Sequence, residues 1–277
     1  MNKIGTIGKK ILLVLFISIT LFFTLFPLLW VVKLAFSTSL MQAASFKLPD
    51  FTNLTSFEKA VTLVDIPQAF LNSIELTLLT VILELGTALL AAYAITLIPA
   101  GKWNNRLYTF FVAGMVIPSF VVLYPGFKMS MWFGINGSYL PLILMYAGPS
   151  VPFSILMLTG AFIKFPKEIE ESGRIDGCSY FQNLVRVILP CIGPSVSTLF
   201  IFYFLGTYND YMFASIMINE ARKQTLAQFV FAFRTLYSTD NMATAAYVLL
   251  IMIPPWILYI FFQRYIIDGV TAGAVKG

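Results

Sequence analysis

Six long apolar stretches, separated by shorter polar segments, run along the 277 residues of the chain. Each stretch is long enough for the roughly 20 helical residues that cross about 30 Å of hydrocarbon. The stretches lie at 11–34, 70–98, 107–127, 139–163, 192–211 and 243–265. We therefore predict an all-α membrane protein with six transmembrane helices. Since no Ser/Gly-rich linker divides the chain, residues 1–277 are predicted to form a single transmembrane domain.

The composition also indicates that most of this chain lies in a lipid membrane. Hydrophobic residues make up 58%, charged residues 11%, and the mean hydropathy is +0.83, whereas a soluble domain carries roughly 25% charged residues. The first apolar stretch is longer than the roughly 7–15 residues of a signal-peptide core. We therefore interpret it as the first helix rather than a cleaved leader.

The basic residues predict the orientation, because short cytoplasmic loops carry an excess of Lys and Arg. With the amino terminus inside, six spans place both termini in the cytoplasm, and eleven of the 18 basic residues fall on that face. These eleven are Lys3, Lys9, Lys10, Lys102, Arg106, Lys164, Lys167, Arg174, Arg186, Arg264 and Lys276. The net charge of +5 then indicates attraction to anionic membrane lipid rather than to nucleic acid.

The residue inventory excludes several kinds of site. The two cysteines, Cys178 and Cys191, map to the cytoplasmic side, and the chain has no histidine, so we predict no disulfide and no metal site. An intramembrane enzyme is disfavoured for the same reason. No Gly-x-x-x-x-Gly-Lys-Ser/Thr motif occurs, so ATP and Mg²⁺ are expected in a partner and no cofactor in this chain.

A polar segment at 166–190 interrupts the apolar pattern and holds four of the 13 acidic residues. Pro166 suits the first turn of a helix, and Glu168, Glu170 and Glu171 place negative charge near the positive amino end of that helix. Gly177 can adopt the left-handed conformation that ends a helix. The pattern thus predicts a short helix that stops at Gly177.

A second helix is predicted to follow directly. Ser179 and Gln182 have the spacing of a capping box, and apolar residues then recur at helical spacing as far as Pro190. The two helices would form a bent elbow that leads into the fifth apolar stretch. The alternative, on composition alone, is an ordinary amphipathic loop that lies on the lipid surface.

The order Glu171-Ser172-Gly173, Gly177 and Val187-Ile188-Leu189-Pro190 resembles the EAA signature of permease subunits from ATP-binding-cassette importers. This resemblance implies the type I importer fold, in which 166–190 is a cytoplasmic coupling-helix elbow between helices 4 and 5 that docks on an ATPase subunit. It makes Glu171 the acidic residue that faces the ATPase and Gly177 the turn glycine. Ser172 and Gly173 replace the usual alanines, and Val187 replaces the usual isoleucine. The residues implied in ATPase coupling are Glu170, Glu171, Ser172, Gly173, Arg174, Asp176 and Gly177.

Other segments resemble the carbohydrate-uptake permeases, the family of the smaller maltose permease subunit. They are Asn72-Ser73, Ala92-Tyr93-Ala94, Tyr208-Asn209-Asp210 and the tail from Asp268 to Gly277. The family pattern usually has tryptophan where Tyr208 stands. The resemblance implies sugar import across a bacterial cell membrane together with a second permease subunit, two ATPase subunits and an extracytoplasmic solute-binding protein. The partly polar outer segment at 219–242 is placed to meet that binding protein.

Polar residues within the apolar stretches are few, and an ionisable group at membrane depth costs about 2.5–3.5 kcal/mol on insertion scales. Glu84 is the deepest. It could line the translocation path and bind sugar hydroxyls, or be a structural partner of Thr80, Thr87 or another helix. Tyr208, Asn209 and Asp210 are further candidates for the substrate pathway, with helix–helix hydrogen bonding as the alternative.

Glu84 also defines a rival function, a self-sufficient secondary transporter or channel in which it is an ion or proton site. That interpretation explains an intramembrane acid but not the elbow. Asn72 and Glu75 are predicted to lie near the outer interface in contact with solvent. Kinks are predicted at the prolines within or beside the apolar stretches, which are Pro118, Pro125, Pro149, Pro152, Pro254 and Pro255.

Overall fold

The computed structural model describes residues 3–45, 47–98, 101–235 and 238–274, and side chains within 9–264 of these ranges. Helices dominate the described residues, and the one extended pairing among them is an isolated bridge between Arg234 and Thr239. The prediction of an all-α protein is confirmed.

Thirteen α-helices occur in the described ranges. In chain order they are α1 (Lys3–Ala35), α2 (Leu40–Ala44), α3 (Thr55–Leu63), α4 (Ile66–Leu97), α5 (Lys102–Ala113), α6 (Leu123–Trp132), α7 (Tyr139–Ile163), α8 (Lys167–Ile175), α9 (Tyr180–Asn183), α10 (Leu189–Cys191), α11 (Gly193–Tyr208), α12 (Met212–Met217) and α13 (Asn241–Ala274). Short 3₁₀ turns lie at Gly114–Val116, Ser119–Val122, Ala221–Lys223 and Gln228–Phe231, and a π-helical turn lies at Leu184–Ile188.

Four described helices are long and apolar enough to cross a membrane unbroken. They are Lys9–Ala35, Ile66–Leu97, Tyr139–Ile163 and Asn241–Arg264. They coincide with the first, second, fourth and sixth predicted spans. The third and fifth spans differ from the prediction, because each is a pair of helices with a sharp bend, and the count reaches six only if each bent pair is one span.

The bend in the third span has a local cause. Lys102–Val116 and Ser119–Trp132 meet at 85°, and Ile117 between them is extended, with φ −81° and ψ 111°. Ile117 precedes Pro118, and the proline ring disfavours helical backbone at the residue before it. The kink predicted at Pro118 is therefore confirmed, although it is sharp enough to break the span at 107–127 into two helices. In contrast, α7 and α13 continue through their internal prolines.

The chain divides into two compact units. The first contains Met1–Ile66 and Phe229–Ile253, and the second contains Pro67–Gln228 and Pro254–Gly277. In the first unit, Ala35, Ala245 and Ala246 form a buried cluster with partly buried neighbours around it. The organisation of the chain as a single transmembrane domain stays a prediction.

In the second unit, a larger cluster joins α4, α6, α7 and α12. Its buried members are Leu76, Leu123, Leu142, Ile143, Met145, Phe213, Ala214, Met217 and Ile218. A Cβ atom on Gly114 would stand 3.2 Å from Cγ of Pro152, so the glycine lets the end of α5 approach α7 closely. In the same unit, the polar residues Glu84 and Ser154 are buried between helices.

Helix α1 differs from the others in its surroundings. In the most apolar 18 residues of Lys9–Ala35, no residue is buried against the described part of the chain. An apolar helix that buries none of these residues against its own chain requires lipid or another apolar surface. The side chains of the tail from Asp268 to Gly277, whose family resemblance was noted above, lie outside the described residues, as do those of Lys3 and Lys276.

Candidate functional site

The polar segment 166–190 folds as two short helices joined by a tight turn. Helix α8 begins after Pro166, which occupies the N-cap position with φ −62° and ψ 120° rather than the first helical position. Glu168 and Glu170 lie in the first turn, where the helix dipole favours negative charge.

Gly177 ends α8 in the way that its sequence position predicted. Its φ is 85°, the left-handed region in which residues with a Cβ are strained. The Cys178 N–H donates to the Gly173 carbonyl at 3.0 Å, and the Gly177 N–H donates to the Arg174 carbonyl at 3.1 Å. These two bonds form a Schellman motif that satisfies the free carbonyl groups of the last turn.

The predicted capping box at the next helix is also confirmed. Gln182 N–H donates to Ser179 Oγ at 3.3 Å, and the Ser179 N–H donates to Gln182 Oε1 at 2.9 Å. Helix α9 then widens into the π-helical turn Leu184–Ile188, where the Leu189 N–H reaches back to the Leu184 carbonyl. Pro190, directly after, has no N–H to continue the ordinary pattern.

The fifth apolar stretch begins after a break. Tyr180–Cys191 and Gly193–Tyr208 meet at 84°, with Ile192 between them at φ −90° and ψ 9°. The segment is thus bent at Gly177 and again at Ile192. The second helix of the elbow leads towards the fifth apolar stretch, as predicted, but a second bend at Ile192 separates the two.

The inner face of α8 packs against the helix that follows it. Asn183 is fully buried, and its Nδ2 donates to the Glu170 carbonyl at 2.9 Å and lies 3.4 Å from Glu170 Oε1. Gly173 is buried beside it, and a Cβ there would stand 2.6 Å from Asn183 Oδ1 and 3.2 Å from Val187 Cγ2. The backbone of α8 at Gly173 therefore lies directly against the side chains of Asn183 and Val187.

The predicted coupling residues divide between two faces of the segment. Glu170 and Gly173 are buried on the inner face. Glu171, Ser172, Arg174, Asp176 and Gly177 are exposed. The structure thus separates the two neighbouring acids, one inside the packed elbow and one outside.

Arg174 stabilises the turn from its exposed side. Its guanidinium carbon lies 4.9 Å from the centre of the Tyr180 ring, and Nη2 donates to the Tyr180 hydroxyl at 3.2 Å. Nη1 is 3.9 Å from Glu170 Oε1. Because the arginine is partly in solvent, these contacts contribute little by themselves.

Apolar side chains of the segment are also exposed, and Ile175 lies one turn after Glu171 on α8. Ile175 is 85% exposed and Phe181 is 65% exposed, and Ile169 is also exposed. An exposed apolar group with an acidic side chain among it is typical of a protein-docking surface.

Inside the predicted membrane region, Glu84 on α4 is 1% exposed and lies against two other helices. Ser154 Oγ on α7 is 3.0 Å from Glu84 Oε1 and 3.0 Å from the Tyr203 hydroxyl on α11. Tyr203 also reaches the Ser150 carbonyl at 3.2 Å. The carboxyl group thus ties three helices together.

Thr80 and Thr87 are not the partners of the Glu84 side chain. Their hydroxyls donate to backbone carbonyls of their own helix, Thr80 to Leu76 and Thr87 to Leu83 and Glu84. Of the structural alternatives left open by the sequence, contact with another helix is the one that the structure contains.

Asp210 has a different set of partners. Its Oδ1 accepts the Tyr146 hydroxyl at 2.6 Å and the N–H groups of Phe213 and Ala214 at 3.0 and 3.3 Å. The carboxylate therefore joins α7 to the start of α12. Tyr208 is buried and stacks on Phe204 at 5.8 Å.

Asn209 is exposed, and its Nδ2 donates to the Leu205 carbonyl of its own helix at 2.9 Å. The four predicted pathway residues are therefore not gathered in one site. Glu84 and Asp210 contact the same helix, α7, at points separated by two turns.

Tyr146, Ser150, Ser154 and Tyr203 were not among the sequence-based candidates. The first three recur every four residues on α7 and form one polar stripe, about 12 Å long at 1.5 Å rise per residue. That spacing was visible in the sequence. Tyr203 carries no such signal, since its partners lie 49 and 53 residues away along the chain.

Asn72 and Ser73 anchor the outer segment, and the expectation that Asn72 contacts solvent was wrong. Asn72 is buried, and its Nδ2 donates to the carbonyls of Arg222 and Gln224 at 2.8 and 2.9 Å. The Leu226 N–H donates to Ser73 Oγ at 2.8 Å. A buried amide is favourable where backbone carbonyls need donors. Glu75 is exposed, as predicted.

Sequence comparison places these features in a known family. Residues 84–271 match the family described as binding-protein-dependent transport system inner membrane component. The chain is 34% identical to the putative ABC transporter permease protein ORF2 of Caldicellulosiruptor sp., over 74% of each chain. It is 33% identical to the diacetylchitobiose uptake system permease protein DasC of Streptomyces coelicolor, again over 74% of each.

Longer alignments and the fold agree with this. The trehalose/maltose transport system permease protein MalG of Thermococcus litoralis is 27% identical over 97% of this chain and 98% of its own. A chain from the crystal structure of a bacterial ABC transporter that imports the acidic polysaccharide alginate has a TM-score of 0.82 at 18% identity, over 96% of this chain and 98% of that one. The chain belongs to the family of binding-protein-dependent transport system inner membrane components.

Proposed function

We propose that this permease subunit imports a carbohydrate, with ATP hydrolysis by partner subunits as the energy source. Membership of the family makes the chain a multi-pass membrane transporter subunit rather than a catalytic enzyme. The carbohydrate is supported by the names of its relatives, which include uptake systems for diacetylchitobiose and for trehalose or maltose.

The elbow at 166–190 is the observation that carries the proposed mechanism. Its capped turn holds α8 as a short helix whose outer face presents Glu171 and Ile175. Such a face is suited to a cleft on a cytoplasmic ATPase. ATP binding would close a pair of ATPases, and the closed pair must favour one membrane state by a few kcal/mol to shift the populations.

Six membrane spans with both termini in the cytoplasm would place the elbow on the ATPase side. In this topology the bent pair Lys102–Val116 and Ser119–Trp132 is one span, and Gly193–Tyr208 forms the fifth span while Tyr180–Cys191 stays in the elbow. The excess of basic residues on the same face supports it. ATP and Mg²⁺ would then be bound by two ATPase subunits and not by this chain.

Further partners complete the importer. A second permease subunit would supply the other half of the pathway, and the uncovered α1 helix offers an apolar surface for it or for lipid. An extracytoplasmic solute-binding protein would meet the outer segment 219–242. The part of that segment in the second unit is held by Asn72, Ser73 and Tyr139, whose hydroxyl donates to the Lys223 carbonyl.

Within the pathway, we assign Glu84 to helix packing and retain Asn209 as the predicted residue with an exposed side chain. Glu84, Tyr208 and Asp210 are engaged with the chain's own helices. A sugar could reach those three only after the helices part.

Uptake of labelled mono- and oligosaccharides by cells that express the complete importer tests the proposal. The ATPase subunit should co-purify with this chain, and vanadate should abolish uptake while a protonophore leaves it largely intact. Uptake that resists vanadate and stops with the protonophore would instead favour a secondary transporter.

A further inference from the structure

The junction between α8 and α9 contains a buried amide matched to a glycine. Asn183 is fully buried, yet its Oδ1 accepts no N–H or O–H group within the described residues. The atom instead faces the position of the missing Gly173 side chain, at 2.6 Å from where a Cβ would stand. The α-hydrogen of Gly173 that points in this direction can make a Cα–H···O contact with that oxygen.

The other end of the same amide holds the preceding turn of α8. Nδ2 donates to the Glu170 carbonyl at 2.9 Å. Glu170 and Gly173 are three residues apart and therefore lie on one face of the helix. One side chain from the second helix thus contacts two points along the first.

We propose that Asn183 is a positioning residue that locks α8 onto the following helix, and that Gly173 is its matched partner. The proposal rests on the coupling role of the elbow given above. It also accounts for glycine at a position where the family signature usually has alanine, because an alanine methyl would occupy the space of the Asn183 oxygen.

The lock matters because it is a buried contact between α8 and the helix that leads towards the fifth span. The covalent link runs through Gly177, whose backbone is permissive, and the Arg174–Tyr180 contact is partly in solvent. The buried Asn183 contact resists hinge motion at that turn more effectively, since a buried hydrogen bond is not exchanged for water. The elbow then moves as one body, and the bend at Ile192 takes up the motion.

The two single variants and the double variant test whether Asn183 and Gly173 are matched to each other. Hydrogen exchange is measured on the full chain in lipid nanodiscs for Asn183→Ala, Gly173→Ala and the double variant. Asn183→Ala should raise the exchange rate of the α8 amides about tenfold, the effect of losing one net hydrogen bond. Gly173→Ala should also raise it, because its methyl group would clash with Asn183 Oδ1. The double variant should return towards wild type, because the methyl group introduced by Gly173→Ala enters the space that the Asn183 amide leaves. Gly160→Ala on α7 is the control, because a Cβ atom there meets nothing within 4 Å, and it should not change the α8 rates.

A functional readout separates positioning from packing. In the complete importer, the ratio of sugar taken up to ATP hydrolysed should fall several-fold in each single variant and recover in the double. Additive exchange effects without rescue would overturn the match between the two residues. Rescue of exchange with an unchanged uptake ratio in the single variants would overturn the positioning role. If uptake proves independent of ATP, the proposed function fails, while the exchange result still decides the match.

Discussion

The Tyr146 hydroxyl donates a 2.6 Å hydrogen bond to Asp210 Oδ1, and this contact joins α7 to the end of α11. The same oxygen accepts two backbone N–H groups at the start of α12. One carboxylate therefore fixes the relative positions of three helices in the second unit. Its removal is expected to loosen all three.

Tyr146→Phe should lower the free energy of unfolding by about 1.5–3 kcal/mol, the range for a hydrogen bond to a charged group. Thermal unfolding of the purified protein in detergent measures this. Tyr93→Phe is the matched control, because the Tyr93 hydroxyl is buried without a hydrogen-bond partner in the described structure. That variant should be as stable as wild type or slightly more stable. An equal loss in both variants would contradict the importance of the Asp210 contact.

Substitutions at Glu84 distinguish a structural carboxyl from an ion site. Glu84→Gln keeps hydrogen-bonding groups beside Ser154 and Tyr203, so we expect uptake close to wild type. Glu84→Leu removes them and leaves buried hydroxyls with fewer partners, at a cost of about 1–3 kcal/mol in stability. Uptake assays and thermal unfolding are run on both variants. A stable Glu84→Gln protein that cannot transport would show that the charge itself is required.

Charge reversal at Glu171 should uncouple ATP hydrolysis from uptake while the protein remains in the membrane. The side chain is exposed on the outer face of α8, so folding should be little affected. A lysine there would place a positive charge where the docking cleft is expected to meet a negative one. The measurements are membrane content, ATPase activity and sugar uptake.

Glu75→Lys is the comparison for this reversal, because Glu75 is also accessible but lies near the amino end of α4, within a different helix from the elbow. We expect it to keep both activities coupled. Normal coupled uptake in Glu171→Lys would count against the docking role of α8.

The sequence predicted those parts of the elbow that depend on neighbouring residues. A left-handed glycine and a capping box are decided within four or five residues, so Gly177, Ser179 and Gln182 were found correctly. Contacts across the chain were not accessible in this way. Ser154 meets Glu84 at a separation of 70 residues, and Asn72 meets Arg222 at 150.

The hydrophobic pattern also could not predict where a membrane span is broken into two helices. Hydropathy registers only that a stretch is apolar, and Ile117 and Ile192 are apolar at the positions where the helices turn by 85° and 84°. Pro118 predicted a kink beside Ile117 but not its size, and no kink was predicted at Ile192. Proline in α7 and α13 produces no break, so the tertiary packing, not proline alone, decides where a span bends.

Asp240 is expected to stabilise the first unit at neutral and mildly acidic pH. Its Oδ1 accepts the Ala243 N–H at 3.0 Å, so it caps α13, and its Oδ2 lies 2.9 Å from Lys59 Nζ. Partial burial raises the pKa of this carboxyl. The Ala243 N–H and Lys59 together lower the pKa by more than burial raises it, so the pKa is below the ordinary value of 3.8. A lowered folded pKa means that the contribution is complete above the unfolded pKa and is lost as the pH falls through the folded one.

Thermal unfolding should therefore show no change in the effect of Asp240 between about pH 8 and about pH 5, and a loss only below about pH 4. Asp240→Ala should cost about 0.5–2 kcal/mol near neutral pH, the range for an N-cap. Lys59→Gln should cost less, because an exposed ion pair contributes about 0–1 kcal/mol. Since Lys59→Gln leaves the hydrogen bond from the Ala243 N–H to Asp240 in place, this variant separates the contribution of the cap from that of the ion pair. A stability difference between wild type and Asp240→Ala that disappears already at about pH 6 would contradict this account, because the ordinary pKa of 3.8 and the lowered folded pKa both lie well below that pH.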